Sequence, residues 1–366
     1  MTAWTREQAI GAVRQTAAAL PRIQADEIAP VVPDHDVWDM WQVMRRDGST
    51  AVIEGRTWWF YLAAPRLDDP EWRHDVARIR LTSLGDDGWR DHGDAFPEGL
   101  TPGSREWSGS AVLEDDRGTI TMYFTASGRR GVPRTFEQRL FESLGRLADG
   151  RTSNWTKPVE SVAADGRTYL AAQQADAVDG RIKGFRDPCW FCDPRDGVEY
   201  LLFAGSAGWV DEVDDGVIGL ARRDADAWQL RPPLVTAIGV NSELERAHIV
   251  VHDGLYYLFW STQAKRFAPG IAAPTGLYGM VAERVEGPYR PLNDTGLVAA
   301  NPADEPFQAY CWVVTDELEV TSFIDYAGLA GADPASSATL RRCAFGGTVA
   351  PGFSLRLDGT RAMIAP

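Results

Sequence analysis

Three acids stand out by the company they keep. Asp39 lies in Val37-Trp38-Asp39-Met40-Trp41, Asp187 in Phe185-Arg186-Asp187-Pro188, and Glu245 in Glu243-Leu244-Glu245-Arg246-Ala247. A carboxylate among apolar neighbours is costly to desolvate, so it needs a partner or a task. Two carboxylates flanking a glycosidic bond are the minimum apparatus for cleaving it. One attacks the anomeric carbon; the other donates a proton and then recovers one. The acid needs a raised pKa, which neighbouring like charges help to supply. Arg186 and Arg246 beside two of the acids limit repulsion and offer forks to sugar hydroxyls. Each acid also has a plain structural reading. Asp39 could cap a turn between core tryptophans, Asp187 could form a local ion pair before Pro188, and Glu243 and Glu245 could sit on a solvated strand edge. Jointly, in strand context, the three favour chemistry.

The elements that must position them are strands. Thr5-Arg6-Glu7-Gln8 fits a capping box, and Ile10, Val13, Ala17 and Leu20 follow at helical spacing, so one amphipathic helix is expected before Pro21. After Pro33 the chain turns to short aromatic and β-branched runs separated by Gly, Asp and Pro turns. Examples are Thr57–Leu62, Arg78–Leu81, Thr119–Phe124, Glu199–Phe203, His248–Val251 and Leu255–Phe259. Asp165-Gly166 and Asp253-Gly254 carry the hairpin signal. A polar motif, a strand, a turn and an aromatic strand recur loosely, as expected for propeller blades whose inner strands deliver residues to a central channel. A helix is expected at 135–147, where Phe136, Leu140, Leu144 and Leu147 share a helical face. The expectation is an all-β fold: residues 1–32 as an N-terminal helical segment packed on a single propeller of residues 33–366.

Bulk properties narrow the partners. The formal net charge of −15 over 366 residues argues against nucleic acid and anionic membrane surfaces. No apolar run is long enough to span a bilayer. MTAWTREQAIGAV lacks the basic and apolar regions of a cleavable signal, so the expectation is a cytoplasmic protein or one exported by a signal-independent route. Cys189 and Cys192 form a C-x-x-C without a second such pair or spaced histidines, which favours buried thiols over a metal or disulfide. His248 and His252 read as structural or surface groups, and nothing in the spacing of His35 compels a role. The 14 tryptophans suit a β-rich core, a carbohydrate-stacking surface, or both.

With these motifs in hand, the chain resembles glycoside hydrolase family 68, the levansucrase, inulosucrase and β-fructofuranosidase family. Besides the three acidic motifs, the resemblance rests on Glu106-Trp107-Ser108-Gly109-Ser110, Tyr256-Tyr257-Leu258-Phe259, Gly276-Leu277-Tyr278-Gly279, Gly287-Pro288-Tyr289-x-Pro291-Leu292-Asn293, Pro306-Phe307-Gln308-x-Tyr310 and Phe345-Gly346-Gly347-Thr348, in that order. It covers the chain from about Asp36 onward. It implies a five-bladed β-propeller acting on sucrose and fructo-oligosaccharides without a cofactor. Asp39 would be the nucleophile, Glu245 the general acid/base and Asp187 the transition-state stabiliser. Trp38, Trp107, Ser108, Arg186 and Tyr310 would line the fructosyl subsite, and Glu243 and Arg246 would contact the glucose side or orient Glu245.

Departures from the family pattern matter. Gln263 stands where many members place Arg or His beside the acceptor subsite, which points to hydrolysis and short transfer products over polymer. Ser242 replaces an Asp that helps hold calcium in Gram-positive members, so no metal is expected. Cys311 replaces a frequent Ser and reads as a packing change. Levan synthesis and action on other fructosides remain rival enzymatic readings, and a non-catalytic carbohydrate-binding propeller is the rival from another class. Asp39→Asn separates the classes: a binder keeps its affinity for sugar, measured by calorimetry, whereas an enzyme loses turnover with the fold intact.

Overall fold

The computed structural model describes residues 1–171 and 182–365 and is nearly all β. Its strands form four hydrogen-bonded sheets. The largest runs from Arg151–Ser153 through Gln138–Ala148, Thr119–Ser127, Arg105–Leu113, His35–Arg45, Arg56–Pro65 and Arg78–Gly85 to Gly88–Asp94. It consists of two antiparallel meanders joined where Val43 and Met44 of one pair in parallel with Ala111 and Val112 of the other. The remaining sheets begin at Phe185–Cys192, Glu245–His252 and Ala309–Val314. The first strands of all the meanders (35–45, 105–113, 185–192, 245–252 and 309–314) pack side by side, the last against the first, in a closed ring.

Local chemistry accounts for the strands. Asp253 and Gly254 both take positive φ, 50° and 74°, the two-residue turn whose twist matches its flanking strands, here Glu245–His252 and Leu255–Thr262. The Asp165-Gly166 pair instead makes a capped turn, with the Asp165 carboxylate accepting from the amides of Arg167, Thr168 and Tyr169. Aromatic and aliphatic side chains such as Trp38, Trp190, Trp260 and Trp312 are essentially fully buried between the sheets.

Two helical expectations are corrected. The segment 135–147 is not helical: Gln138–Ala148 is a strand paired on both sides, with Thr119–Ser127 and with Arg151–Ser153 and Val159–Val162. Its leucines face different neighbours, Leu140 and Leu147 joining separate cores and Leu144 lying 44% exposed. Two-sided ladder pairing overrides a fortuitous helical spacing. Near the N-terminus the capping box forms at Thr5 and Gln8, but the helix spans only Arg6–Ala12, followed by a 3₁₀ turn at Thr16–Ala18. It buries Ala9 and Ala12, leaving Ile10 and Val13 exposed; the Ala17 side chain lies outside the described residues. Of the apolar positions picked by spacing, Ile10 and Val13 thus face solvent, whereas Leu20, beyond the helix, is buried in the core. Trp4 anchors this segment instead. It is 1% exposed, packs edge-on against Trp260 and Phe267, and donates Nε1–H to Thr295 O at 2.9 Å. Thr2–Ala3 adds a parallel strand to Ala227–Thr236.

The ring is fastened between its first and last sheets. Arg342 donates to both oxygens of buried Asp36, at 2.6 and 2.9 Å. Gly347, at φ 54°, leaves room for that carboxylate, because a Cβ there would lie 2.6 Å from Asp36 Oδ1. Arg342→Ala leaves buried Asp36 with only the more distant Arg66, 3.8 Å away, so thermal and denaturant unfolding are expected to show a loss of up to about 3 kcal/mol.

Candidate active site

Each of the five innermost strands carries a break in register at the same level: between Trp38 and Trp41, Trp107 and Gly109, Arg186 and Cys189, Glu245 and His248, and Tyr310 and Val313. A bulge inserts an extra residue, bends the strand and re-aims its side chains. At four of the five, the bulged residue is Asp39, Asp187, Arg246 or Cys311, each with φ between 45° and 61°. Such left-handed backbone costs a non-glycine residue roughly 1–3 kcal/mol and persists where the surroundings over-determine it. At the fifth, Gly109 allows the close approach, since a Cβ would fall 1.8 Å from Tyr123 O.

The bulges bring the sequence-predicted residues together. Trp38, Asp39, Trp107, Ser108, Arg186, Asp187, Glu243, Glu245, Gln263 and Tyr310 all line one cleft of about 500 Å³. Ser108 Oγ lies 2.9 Å from Asp187 Oδ1 and 3.3 Å from Asp39 Oδ2, bridging the two aspartates. Arg186 donates Nη2–H to Glu245 Oε1 at 2.6 Å; the same nitrogen is 3.4 Å from Glu243 Oε2, and its Nε is 3.8 Å from Asp187 Oδ2. Tyr310 Oη donates to the other oxygen of Glu245. Glu243 is no solvated edge: it is 5% exposed and its Oε2 lies 2.9 Å from Arg266 Nε.

Arg246 is a correction. It does not line this cleft. It occupies the bulge after Glu245 and points through the ring, donating to Met40 O at 3.0 Å and lying over the Trp41 ring at 5.2 Å. Its positive charge reaches Asp39 and Asp187 from beneath. Cys311 packs in the core, and it also lines the cleft and hydrogen-bonds Asp39. Among the other cysteines, Cys189 and Cys192 are partly buried free thiols and Cys343 is exposed.

The electrostatics divide the acids. Burial raises Asp39 and Asp187 above the usual carboxylate range, with Arg246 pulling both back. Burial also pushes Glu245 up, but the Arg186 charge and the Tyr310 and Arg186 hydrogen bonds outweigh it and hold the group below its ordinary value. The raised acid that proton donation calls for is therefore not found at Glu245, because Arg186 and Tyr310 both favour its charged form.

Several cleft residues escaped sequence analysis. Glu71, Arg73 and His74 come from a short turn and helix outside the ring. Burial and adjacent Arg73 lower His74 to about 3, so it is neutral. Asp325 in Ser322-Phe323-Ile324-Asp325-Tyr326 bears the same signal as Asp39, a lone acid in an aromatic, β-branched strand. His248 is structural, as expected: Nδ1 lies 2.8 Å from Arg246 O and Nε2 accepts from Val314 N. Among the described residues no group of three or more His, Cys, Asp or Glu side chains could hold a metal ion.

Carboxylates gathered with guanidinium, phenol and indole groups at one mouth of a ring of β-sheets define a carbohydrate-active type of enzyme site. The chain belongs to the levansucrase/invertase family, whose model matches residues 1–216 and 213–365. Levansucrase LscC of Pseudomonas savastanoi pv. glycinea is 32% identical across 99% of this chain and 90% of its own length. The levansucrase of Zymomonas mobilis subsp. mobilis is 34% identical across 99% and 89%. Among solved structures, the inulosucrase from Halalkalicoccus jeotgali bound to kestose superposes with a TM-score of 0.91 at 39% identity, covering 100% of this chain and 95% of that one.

Replacing a buried, pKa-raised acid with its neutral isostere relieves a desolvation cost. Asp39→Asn is expected to melt at a higher temperature than the parent at pH 7 in thermal unfolding. That gain shrinks as pH falls through the raised pKa, where the parent takes up its proton.

Proposed function

We propose that this protein is a retaining fructosyl-transferring glycoside hydrolase that cleaves sucrose and passes the fructosyl group to water or to a short sugar acceptor. The observation that carries it is the meeting of Asp39, Asp187 and Glu245 at register breaks of adjacent inner strands, in a chain of the levansucrase/invertase family. The five meanders are read as five blades of one propeller spanning 33–366, with residues 1–32 packed upon it.

Asp39 attacks the anomeric carbon of the fructosyl unit while Glu245 protonates the departing glucosyl oxygen. Asp187, held by Ser108 and by its own amide on Thr125 Oγ1 at 2.9 Å, grips fructosyl hydroxyls as positive charge develops on the ring. Trp38 and Trp107 wall that ring, the latter fixed by Nε1–H to His74 O at 3.1 Å. Substrate hydroxyls that take over the Arg186 fork weaken its hold on Glu245, so substrate entry itself lifts Glu245 toward the range needed to deliver a proton. Glu245 then accepts a proton from the incoming hydroxyl, and the ester to Asp39 breaks with retained configuration. Gln263 in place of a cationic side chain supports hydrolysis and short products over levan synthesis.

The test is incubation with sucrose, following free glucose and free fructose separately. Glucose release, with fructose equal to it or lagging behind, is expected. No release of either from folded protein would sink the sucrose reading. Asp39→Asn is expected to reduce glucose release by about 10⁴-fold or more.

A further inference from the structure

Where a strand bulges, its ladder hydrogen bonds lapse, and the backbone groups left over need partners from elsewhere. At Asp187 the partner is a buried hydroxyl on the neighbouring meander. Thr125 lies on Thr119–Ser127, directly opposite Trp107, and is fully buried. Its Oγ1–H donates to Ser108 O at 3.0 Å, and the same oxygen accepts from the Asp187 amide at 2.9 Å. A hydroxyl has one proton to give and lone pairs to receive with, so both of its roles are filled and its rotor is fixed. One side chain thus ties the backbone of Ser108 to the backbone of Asp187. The same arrangement recurs two meanders further round the ring. Ser261, opposite Glu245 and also fully buried, accepts from the Trp312 amide at 3.0 Å, next to the bulged Cys311.

The tie decides where a proton goes. Ser108 Oγ–H can be given to only one carboxylate. It lies 2.9 Å from Asp187 Oδ1 and 3.3 Å from Asp39 Oδ2, so Asp187 receives it. We propose that Thr125 is a positioning residue: its hydroxyl holds Ser108 and Asp187 at the spacing that commits the Ser108 proton to Asp187 and leaves Asp39 the freer nucleophile. The inference rests on the fructosyl-transfer reading. Without the hydroxyl, the Asp187 amide and the Ser108 carbonyl lose their common partner and move apart. The carboxylate that meets positive charge on the fructosyl ring is then misplaced, while the walls at Trp38 and Trp107 remain. The loss falls on the transition state and spares sucrose binding.

Thr125→Val keeps the shape and removes the hydroxyl; Thr125→Ser keeps the hydroxyl and removes a methyl group. With sucrose, Thr125→Val is expected to lose about tenfold or more in kcat, with KM within about threefold of the parent's. Thr125→Ser is expected to hold kcat within about threefold. A packing role predicts the reverse order, so a serine variant slower than the valine variant overturns the proposal, as does an undiminished kcat in Thr125→Val. Thr125→Cys, whose thiol is a weak partner, is expected to fall between the two and replaces the valine variant should that protein not fold; parental kcat in it counts against the proposal. Native-state hydrogen exchange reads the tie without substrate. Relative to the Trp312 amide held by Ser261, the Asp187 amide is expected to exchange about tenfold or more faster in Thr125→Val and at the parental ratio in Thr125→Ser. Equal ratios in all three proteins would refute it. A parent protein that releases no sugar from sucrose, yet shows this exchange pattern, supports the tie and sinks only the sucrose reading.

Discussion

Three carboxylates drawn into one buried cleft would repel one another out of it were it not for two guanidinium groups placed on opposite sides. Arg186 reaches Glu245, Glu243 and Asp187 from within the cleft, and Arg246 acts on Asp39 and Asp187 from beneath the ring. Most of what surrounds the site serves that arrangement. Tyr310 and Ser108 supply uncharged donors where a further cation would block the sugar, and Arg266 neutralises Glu243 so that Arg186 is shared and not captured. Removing either arginine would leave buried charge without compensation, which is more costly than never having buried it.

The arginines can be so placed because the inner strands share one irregularity. A residue added at the same level of each strand turns Asp39, Asp187, Arg246 and Cys311 into the axis of the ring, and places Trp38, Trp107, Arg186, Glu245 and Tyr310 one step before the bulge. Charge and strain are thus concentrated at a level that the surrounding sheets hold rigid. The paired latch of Asp36 with Arg342 and the insertion of Trp4 against the third sheet keep the ring closed around it. Strain of this kind survives only in a packed frame.

The site was largely visible in the sequence because Asp39 sits inside a strongly apolar run, an expense that signals function, and Asp187 and Glu245 each sit beside an arginine at the edge of a strand. Asp325 carries the same signal and was passed over, since no neighbouring motif drew attention to it. Glu71 and His74 carry none, lying in a polar turn that reads as surface. Arg246 was placed on the wrong side because its role depends on a one-residue register shift, and such a shift reverses the face a side chain occupies. The 135–147 segment failed for the opposite reason: its local spacing was helical, but ladder partners on both sides decided otherwise.

By itself the sequence determined the β-rich architecture, the three acids and the aromatic company they keep, because burial periodicity and the cost of isolated charge are properties of short segments. Only the tertiary structure decided which arginine faces the cleft, why Glu245 is held ionised, and that Asp325 is buried beside it with an oxygen unpaired among the described residues. Those depend on where strands far apart in the chain break register and meet, which no local pattern encodes.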